Sequence, residues 1–488
     1  MPLTRRDFAK RSAAGAGVAL TGSVGVLATA PGAIGQEVPE TDVAAPAAGT
    51  RRRAPGYGPL LPDPAGILAL PAGFTYRIIT RTGVTKLESG ESTPSNHDGT
   101  AAFEGPRGTT LLVNNHELKG PRAKWPHPVP LAEGLVYDPA AAGGCTVVEV
   151  SRDGTPVGER VGIAGTSTNC AGGRTPWGTW LTCEETEDKA GQNGMTKDHG
   201  YVFEVDPQAP HDPHGPRAAR APRPIKALGR YAHEAVVVDP KRGHLYLTED
   251  ADRPNGLFYR WTPPHGFEHG RGRLRGLADD AGVLAAPRCY DSGGRFVDDL
   301  SRATRTGTVY GVDWAEVPDR DARTTPVRKQ FPDGEITRAR KLEGMWWADG
   351  GAYLVSSFAR EESPVRHDGQ VWFYDPRRRT LTLKVLLGVN PAPGEDGAFD
   401  GPDNITVSPY GGLIIAEDGE GVQHLFGATD DGRTYPIARN DLNIGTAGAP
   451  AYSEFTGPVF SPDGHTLFAN IQEPGIMLAI RGPWRRQR

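Results

Sequence analysis

Residues 235–249 read Ala-Val-Val-Val-Asp-Pro-Lys-Arg-Gly-His-Leu-Tyr-Leu-Thr-Glu and carry the clearest signal of secondary structure in the chain. Two apolar runs flank a segment with Pro and Gly, which is the pattern of two antiparallel strands joined by a short turn. The segments ITVSPYGGLIIAE at 405–417 and PVFSPDGHTLFAN at 458–470 repeat this pattern. The sequence therefore predicts a chain built from recurring β-hairpins.

These hairpins belong to a longer repeat, in which a glycine precedes an apolar strand and a polar residue follows six positions after the glycine. The six segments are Gly108 to Asn114, Gly178 to Glu184, Gly243 to Glu249, Gly351 to Ser357, Gly411 to Glu417 and Gly464 to Asn470. Four of the five intervals between these glycines span 53 to 70 residues, which suits blades of four strands. The long interval after Gly243 predicts an insertion at 263–305. We therefore expect an all-β fold, a six-bladed β-propeller with loop insertions over residues 57–488.

The composition agrees with this fold and excludes several classes of protein. The 488 residues include 64 Gly and 44 Pro, which long helices tolerate poorly. A formal net charge of −5 excludes a strongly basic nucleic-acid-binding protein. The mean hydropathy of −0.45 argues against a membrane bundle, and beyond residue 30 no segment is long and apolar enough to span a bilayer.

The first residues predict an export signal. Arg5 and Arg6 are followed by Phe8 and Lys10, and a mildly apolar stretch at 13–30 then ends in Ala-Thr-Ala. This order is typical of a twin-arginine signal peptide, which directs an already folded protein to the translocase and out of the cytoplasm. We therefore expect a signal at 1–30, a flexible linker at 31–56, and a periplasmic or extracellular protein.

The four cysteines indicate neither a disulfide scaffold nor a zinc motif. The residues Cys145, Cys170, Cys183 and Cys289 are few for the length of the chain, and their spacing fits no zinc-binding pattern. Strand alternation places Cys183 on the core side of its strand. The sequence leaves open whether Cys145 and Cys289 form a disulfide.

Propeller geometry turns the repeat into a candidate site, because the first strand of a blade starts at the face where the second strand ends. The predicted starts are Asn96-His97-Asp98, Asn169-Cys170, His233-Glu234, Glu343-Gly344, Asp403-Asn404 and Ser453-Glu454. The acids at or just after the second strands are Glu117, Glu184, Glu185, Glu249, Asp250, Glu417, Asp418 and Glu473. About a dozen acids should therefore meet at one mouth of the channel.

Such a ring of acids needs cations. Two carboxylates about 4 Å apart repel by about 4 kcal/mol at an effective dielectric constant of about 20, and few basic residues other than Lys341 occupy matching positions. Oxygen ligands suit Ca²⁺, Mn²⁺ or Fe³⁺. The thiol of Cys170 among these carboxylates favours a transition metal at that position, because Ca²⁺ rarely takes a thiolate ligand.

Several motifs resemble one known family. The segment NCAGGRTPWGTWLTCEE at 169–185, the segment RYAHEA at 230–235, Glu343-Gly344 and Pro402-Asp403-Asn404 are similar to the PhoX-type alkaline phosphatases. The resemblance extends from about residue 60 to residue 480. It implies a six-bladed propeller that holds iron and calcium ions on the channel axis and hydrolyses phosphate esters outside the cytoplasm.

The resemblance also implies roles for individual residues. Cys170 is the expected thiolate ligand of a ferric ion, and Glu184, Glu185, Glu234 and Glu343 are expected to hold iron or calcium. Four further metal ligands are expected, namely Asp403, Glu417, Asn115 and Glu117. The family pattern has an arginine two residues before the Glu-Gly pair. Lys341 stands there in this chain, and it supplies the charge for a phosphate oxygen without the bidentate fork.

Two other functions fit the acidic mouth. A calcium-dependent lactonase or esterase-like propeller would need one or two cations and no thiolate. A non-catalytic exported propeller would use calcium for stability and bind a partner on its face. The oligomeric state does not follow from the sequence.

Overall fold

The computed structural model describes residues 54–209, 221–360 and 363–487. The described residues form 27 strands and six one-turn 3₁₀ helices. In chain order the strands are β1 Leu60–Leu61, β2 Leu68–Pro71, β3 Thr75–Arg81, β4 His97–Glu104, β5 Thr110–His116, β6 Gly143–Val150, β7 Pro156–Thr166, β8 Asn169–Arg174, β9 Trp180–Glu184, β10 Val202–Val205, β11 His233–Val238, β12 Leu245–Glu249, β13 Phe258–Thr262, β14 Val283–Tyr290, β15 Phe296–Val297, β16 Val309–Glu316, β17 Leu342–Ala348, β18 Gly351–Ser356, β19 Gly369–Asp375, β20 Thr380–Leu387, β21 Pro402–Val407, β22 Leu413–Glu417, β23 His424–Ala428, β24 Thr434–Asn440, β25 Phe455–Phe460, β26 Thr466–Ile471 and β27 Ile476–Arg481.

The short helices lie in the connections between strands. They span Pro106–Gly108, Arg122–Lys124, Lys226–Leu228, Leu274–Gly276, Leu300–Arg302 and Val327–Lys329. Within the residues that the structure describes, no helix has the length and hydropathy needed to span a bilayer.

The hairpin at 235–249 forms as the sequence predicts. Strands β11 and β12 pair antiparallel, with Val236 opposite Leu247 and Val238 opposite Leu245. Gly243 adopts φ +70° in the connecting turn, and its N–H donates to the carbonyl of Asp239 at 2.8 Å. A left-handed backbone of this kind favours glycine, which is why the repeat carries glycine at the turn.

The strands form a β-propeller, which confirms the predicted fold class. Blade 1 contains β4–β7, blade 2 contains β8–β10, blade 3 contains β11–β14, blade 4 contains β17–β20, blade 5 contains β21–β24 and blade 6 contains β25–β27. The innermost strands of neighbouring blades contact one another around the axis, and the contact of β25 with β4 closes the ring.

The sheets differ from the expected six separate blades, because the described strands form five hydrogen-bonded sheets. Strand β16 pairs with β14 on one side and with β20 on the other, and thereby joins blades 3 and 4 into one ten-stranded sheet. The predicted insertion at 263–305 contains β14, which is the outermost strand of blade 3. This segment therefore supplies part of a blade as well as a connection.

The N-terminal part of the propeller completes two blades at the end of the chain. Strand β3 pairs with β27 and is the fourth strand of blade 6, while β1 and β2 extend blade 5 beyond β24. Residues 55–488 form one compact unit. The predicted signal at 1–30 lies outside the described residues, as does most of the linker predicted at 31–56.

Apolar side chains fill the spaces between neighbouring blades. Between blades 1 and 2, for example, Val113 and Cys145 pack with Trp180 and Phe203, and all four are at most 3% exposed. Full burial of a side chain of this size contributes about 1.5–3 kcal/mol. This packing fixes the six innermost strands, which carry the site described next.

Candidate metal centre

A β-bulge interrupts the start of every innermost strand. The pairing register shifts between His97 and Thr100, Asn169 and Gly172, His233 and Val236, Leu342 and Met345, Pro402 and Ile405, and Thr456 and Val459. In blades 1 to 5 the residues inside the shift begin with Asp98, Cys170, Glu234, Glu343 and Asp403. A bulge re-aims a side chain relative to regular pleating. The same local irregularity therefore places four acids and one thiol around the axis.

These five side chains and four further acids form four overlapping groups at the mouth of the channel. In each group the ligand atoms lie within 4.8 Å of one another. The groups are Asp98 with Glu117 and Cys170, Cys170 with Glu185 and Glu234, Glu234 with Glu343 and Asp403, and Asp403 with Asp418 and Glu454. Because neighbouring groups share a residue, the nine side chains form one continuous cluster, called the mouth cluster below.

The mouth cluster has a fully buried inner part, whereas Glu117, Glu185 and Asp418 are half-buried. Asp98, Cys170, Glu234 and Glu343 are fully buried, and Asp403 is 1% exposed. The thiol of Cys170 donates to Oε1 of Glu234 at 3.1 Å. Several acids this close cannot all stay ionised without compensating positive charge, because water is largely excluded. They must either bind cations or become protonated. The donor set, eight carboxylates and one thiol, matches metal ions that accept oxygen and sulfur ligands.

Two side chains with N–H donors border the cluster. The ammonium of Lys341 lies 3.1 Å from Oε1 of Glu343, and the lysine side chain is 30% exposed. The amide of Gln472 donates to Oδ2 of Asp98 at 3.1 Å and to Oε2 of Glu117 at 2.7 Å. Gln472 follows β26 in blade 6, so it links the last blade to the acids of the first blade.

Glu184, a predicted metal ligand, lies outside the mouth cluster. Its Oε1 accepts from the backbone N–H of Ser167 at 2.9 Å and from Nδ1 of His199 at 2.6 Å. Its Oε2 accepts from the backbone N–H groups of Gly200 and Tyr201. The next residue, Glu185, belongs to the cluster. The structure thus distinguishes the two adjacent acids.

Glu417 is placed in the same way in blade 5. Its Oε1 accepts from the N–H of Asp400 at 2.7 Å, and its Oε2 accepts from the N–H and Nδ1 of His424 at 2.7 and 2.8 Å. The following residue, Asp418, reaches the cluster. Both oxygens of Glu417 thus accept hydrogen bonds from protein donors outside the mouth cluster, and its role as a metal ligand stays a prediction.

Both histidines are stabilised as cations. Burial opposes the charged form of His199, but the carboxylates of Glu184 and Asp138 outweigh burial and raise its pKa to about 9. The pKa of His424 is also raised, where hydrogen bonds and charge from Glu417 and Asp396 outweigh burial. Each histidine bridges a glutamate at the end of a second strand and an aspartate farther out. The glutamate at this position therefore forms a buried ion pair with the histidine.

Asn115 is the third predicted ligand outside the cluster. Its Nδ2 donates to the backbone carbonyls of Cys170 and Ala171 at 2.7 and 2.8 Å. Its Oδ1 accepts from Cys145 Sγ, Trp180 Nε1 and Thr182 Oγ1 at 2.9 to 3.0 Å. All polar atoms of this side chain are engaged by protein groups, and its role as a metal ligand stays a prediction.

Six of the nine predicted ligands do meet in the cluster, namely Cys170, Glu185, Glu234, Glu343, Asp403 and Glu117. The structure adds Asp98, Asp418 and Glu454, which occupied the predicted strand starts and ends but were not selected as ligands. It also shows that Gln472 donates hydrogen bonds to two acids of the cluster, which no feature of the sequence indicated. The bulge explains why Asp98 belongs to the cluster, because Asp98 occupies the same bulge position in blade 1 as Cys170 and Glu234 occupy in blades 2 and 3.

The four cysteines, all within the described residues, are free thiols. Burial raises the pKa of Cys145 and of Cys289 to about 12, so both remain protonated at neutral pH. Cys183 packs in the core between blades 2 and 3, as predicted. Cys170 is therefore the cysteine that faces the acids of the mouth.

Comparison with known proteins shows similarity to one family and to solved structures. The family model described as alkaline phosphatase PhoX matches residues 55–158 and 154–475, which is most of the chain. No curated protein sequence matches the chain. Among solved structures, the chain is similar to PhoX of Pseudomonas fluorescens in complex with vanadate, a transition-state analogue. That match has 19% identity and a TM-score of 0.62, and covers 86% of this chain and 96% of the other.

Two further solved structures match less closely. A gluconolactonase of Xanthomonas campestris is 12% identical with a TM-score of 0.40, over 88% of this chain and 99% of the other. The PQQ domain of a pyranose dehydrogenase of Coprinopsis cinerea is 11% identical with a TM-score of 0.38, over 85% and 97%. The match of the family model over most of the chain decides the assignment. The chain belongs to the PhoX family of alkaline phosphatases and is a metal-dependent phosphoric ester hydrolase.

Proposed function

We propose that the mouth cluster holds iron and calcium ions and that the protein uses them to hydrolyse phosphate monoesters outside the cytoplasm. The observation that carries the proposal is the convergence of eight buried or half-buried carboxylates and the buried thiol of Cys170 in four linked groups, in each of which the ligand atoms lie within 4.8 Å of one another. Metal ions of this kind bind phosphate oxygens and offset the negative charge that develops during ester hydrolysis.

The donor types suggest how the two metals are distributed. Cys170 takes part in two groups, where its sulfur favours iron over calcium. The group of Glu234, Glu343 and Asp403 and the group of Asp403, Asp418 and Glu454 offer oxygen ligands alone, which suits calcium. This assignment replaces the predicted ligands Glu184, Glu417 and Asn115 by Asp98, Asp418 and Glu454.

The residues of the chain have distinct tasks in this proposal. Lys341 is close enough to Glu343 to lie at the edge of the cluster and is exposed enough to reach a bound phosphate. Its ammonium would hold one phosphate oxygen as a point charge. The buried acids would exclude water from the inner side of the site and hold their oxygens in fixed directions.

Elemental analysis of protein exported in folded form tests the proposal. We expect iron and calcium in each chain, and hydrolysis of p-nitrophenyl phosphate by the metal-replete protein. Replacement of Cys170 by Ser should remove iron and most of the activity. Protein that contains no metal after folded export, or metal-replete protein inactive on a panel of phosphate monoesters, would contradict the proposal.

The cysteine variant and the removal of calcium separate this function from the two alternatives suggested by the sequence. A calcium-dependent lactonase would retain its activity in the Cys170→Ser variant, because calcium does not need the thiol. A non-catalytic propeller would lose stability on removal of calcium and would show no catalytic activity before or after the removal. The thiol in two of the four groups favours the phosphatase.

Export by the twin-arginine route is part of the same proposal. The paired residues Arg5 and Arg6 precede a weakly apolar stretch, and this route carries proteins that have already folded. Replacement of both arginines by lysine should keep the protein in the cytoplasm. Secretion of the double variant at the normal rate would refute the assignment of this route.

A further inference from the structure

Three blades send a buried polar side chain from the second strand to the bulge of the next blade. Asn115 in β5 of blade 1 reaches blade 2, Thr248 in β12 of blade 3 reaches blade 4, and Asn470 in β26 of blade 6 reaches blade 1. Each of the three side chains is fully buried. In every case the acceptor is the backbone carbonyl of a residue in the mouth cluster.

Asn115 is the most constrained of the three. Three donors surround its Oδ1, so the amide can only point its Nδ2 toward blade 2. There it donates to the carbonyl oxygens of Cys170 and Ala171 at 2.7 and 2.8 Å. The orientation of the amide is therefore set by the first two blades together, and it acts on the backbone that carries the thiol.

Thr248 connects the bulges of two blades. Its hydroxyl donates to the carbonyl of Glu343 at 2.9 Å and accepts from the N–H of Ala235 at 3.0 Å. Ala235 directly follows Glu234, so one hydroxyl contacts the backbone beside two acids of the same group. Loss of this hydroxyl would affect both segments without removing a carboxylate.

Asn470 forms the corresponding hydrogen bond between blade 6 and blade 1. Its Nδ2 donates to the carbonyl of Asp98 at 2.7 Å. The hydroxyl oxygen of Thr100 lies 2.9 Å from the same carbonyl oxygen and 2.8 Å from Oδ1 of Asn114, and its one hydrogen can be donated to either acceptor. The bulge of blade 1 is therefore held by side chains from two blades.

The bulges explain why such contacts are needed. In blades 1, 2 and 4 the cross-strand register passes over Asp98, Cys170 and Glu343, so the ladder of their own sheet does not fix these residues. A hydrogen bond from the neighbouring blade fixes the direction of the carbonyl and, through the short link of one Cα atom, the direction of the side chain.

We propose that Asn115, Thr248 and Asn470 are positioning residues, which hold the bulge carbonyls so that Cys170, Glu343 and Asp98 are already oriented for metal binding. The inference rests on the proposed function, because it assumes that the cluster binds metal ions. Groups that orient metal ligands from behind typically change metal affinity 10- to 100-fold when they are removed. The three side chains would therefore control affinity without touching a metal.

Thr248 offers the sharpest experiment, because the chain contains a matched control. Thr337 is 1% exposed, donates to the carbonyl of Val297 at 2.6 Å and accepts from the N–H of Cys289 at 2.7 Å. Thr248→Val and Thr337→Val therefore each remove one donated and one accepted backbone hydrogen bond. The pair at Thr248 lies beside the cluster, and the pair at Thr337 involves no residue of the cluster. Thr248→Ser keeps the hydroxyl and serves as the rescue variant.

The measurement is the dissociation constant of Ca²⁺, obtained by competition with a chromophoric chelator on exported protein stripped of metal and refilled. We expect Thr248→Val to weaken Ca²⁺ binding about 10- to 100-fold. Thr337→Val should lower the unfolding temperature of metal-free protein by a similar amount as Thr248→Val, yet bind Ca²⁺ as the wild type does. Thr248→Ser should lie within about threefold of wild type.

Asn115→Asp supplies a second test at the thiol end of the cluster. The isosteric change replaces the donating nitrogen by an oxygen that faces two carbonyl oxygens, so the backbone of Cys170 should shift. We expect the iron content per chain to fall about tenfold or more, while Ca²⁺ binding changes less than in Thr248→Val. The iron–thiolate absorption band should weaken or move in the protein that retains iron.

The possible results separate this inference from the proposed function. A wild-type protein without bound metal would overturn the proposed function. Wild-type binding together with equal Ca²⁺ affinity of Thr248→Val and Thr337→Val would overturn the positioning role alone. If Thr248→Ser binds as weakly as Thr248→Val, the hydroxyl is not the cause and the inference is also wrong.

Discussion

Lys341 Nζ lies 3.1 Å from Oε1 of Glu343, although the two residues are separated by a single position at the start of blade 4. The backbone of Lys341 adopts φ +39°, and the bulge that follows passes over Glu343 and Gly344 in the register. These two departures from regular pleating place a base and an acid on the same side of the chain. A cationic side chain thereby stands at the rim of an otherwise acidic cluster.

We predict that Lys341→Ala lowers kcat/KM for p-nitrophenyl phosphate about 10- to 100-fold, because a charged hydrogen bond is worth about 1.5–3 kcal/mol. Lys341→Arg should retain activity within about tenfold, since it preserves the charge. The metal content of both variants must match wild type, because Lys341 also contacts Glu343. Full activity of the alanine variant would show that Lys341 does not contact the phosphate.

Replacement of Glu184 should mainly lower the stability of the protein, whereas replacement of the adjacent Glu185 should mainly lower its metal content. Glu184→Ala removes the closer of the two carboxylates that hold the buried His199 and leaves only Asp138 at 3.4 Å, which should destabilise metal-free protein by about 3–5 kcal/mol. Glu185→Ala should leave the metal-free protein nearly as stable as wild type but lower its metal content. Urea unfolding of chelator-treated protein measures the first effect, and elemental analysis measures the second. Equal loss of stability in both variants would contradict this division.

Removal of metal should destabilise the propeller because the buried acids then lose their counter-charge. We expect a lower unfolding temperature after treatment with a chelator and recovery on addition of Ca²⁺. At a Ca²⁺ concentration 100 times the dissociation constant, one site adds about 2.7 kcal/mol. Differential scanning calorimetry with and without Ca²⁺ provides the measurement. An unfolding temperature independent of Ca²⁺ would mean that the acids are neutralised in another way.

A separate acid, Glu159 in β7, should make stability depend on pH. The residue is 4% exposed, its Oε2 accepts from Thr93 Oγ1 at 2.6 Å, and burial raises its pKa to about 6 from 4.5. The folded protein therefore holds this proton more tightly than the unfolded chain does. The contribution of Glu159 to stability is largest below pH 4.5 and falls as the pH rises to about 6.

Glu159→Gln removes this ionisation and keeps an acceptor for Thr93. We expect the variant to exceed wild type in stability above pH 6 by up to about 2 kcal/mol, and the difference to shrink toward pH 4.5. Urea unfolding of metal-free protein at pH 5 and pH 8 checks the sign. A variant less stable than wild type at pH 8 would refute the prediction.

The repeat in the sequence determined the architecture. The six glycines of the repeat and the apolar strands after them predicted the hairpins, and five of these glycines adopt a left-handed turn while Gly351 begins β18. A left-handed turn and an alternating strand are local properties of a few residues. The same repeat located the mouth, because the direction of each strand follows from the order of the hairpins. The acids at residues 98, 234, 343, 403 and 454 and the thiol of Cys170 were therefore predicted to meet.

Which acid of an adjacent pair enters the cluster was decided by the tertiary structure. Glu184 and Glu417 are held by buried histidines and backbone N–H groups of the following segments, whereas Glu185 and Asp418 turn to the channel. Partners from distant parts of the chain make this choice, so no local pattern reveals it. Joining blades 3 and 4 through β16 likewise depends on pairing between distant segments.

The sequence by itself thus determined a propeller with an acidic, thiol-containing mouth, because hairpin turns and strand directions are encoded locally. The tertiary structure decided how that mouth is built. Bulges rotate Asp98, Cys170, Glu234, Glu343 and Asp403 toward the axis, and hydrogen bonds from neighbouring blades hold three of them there. The orientation of a side chain at a bulge depends on which donors the neighbouring blade provides, and those donors come together only when the ring of blades closes.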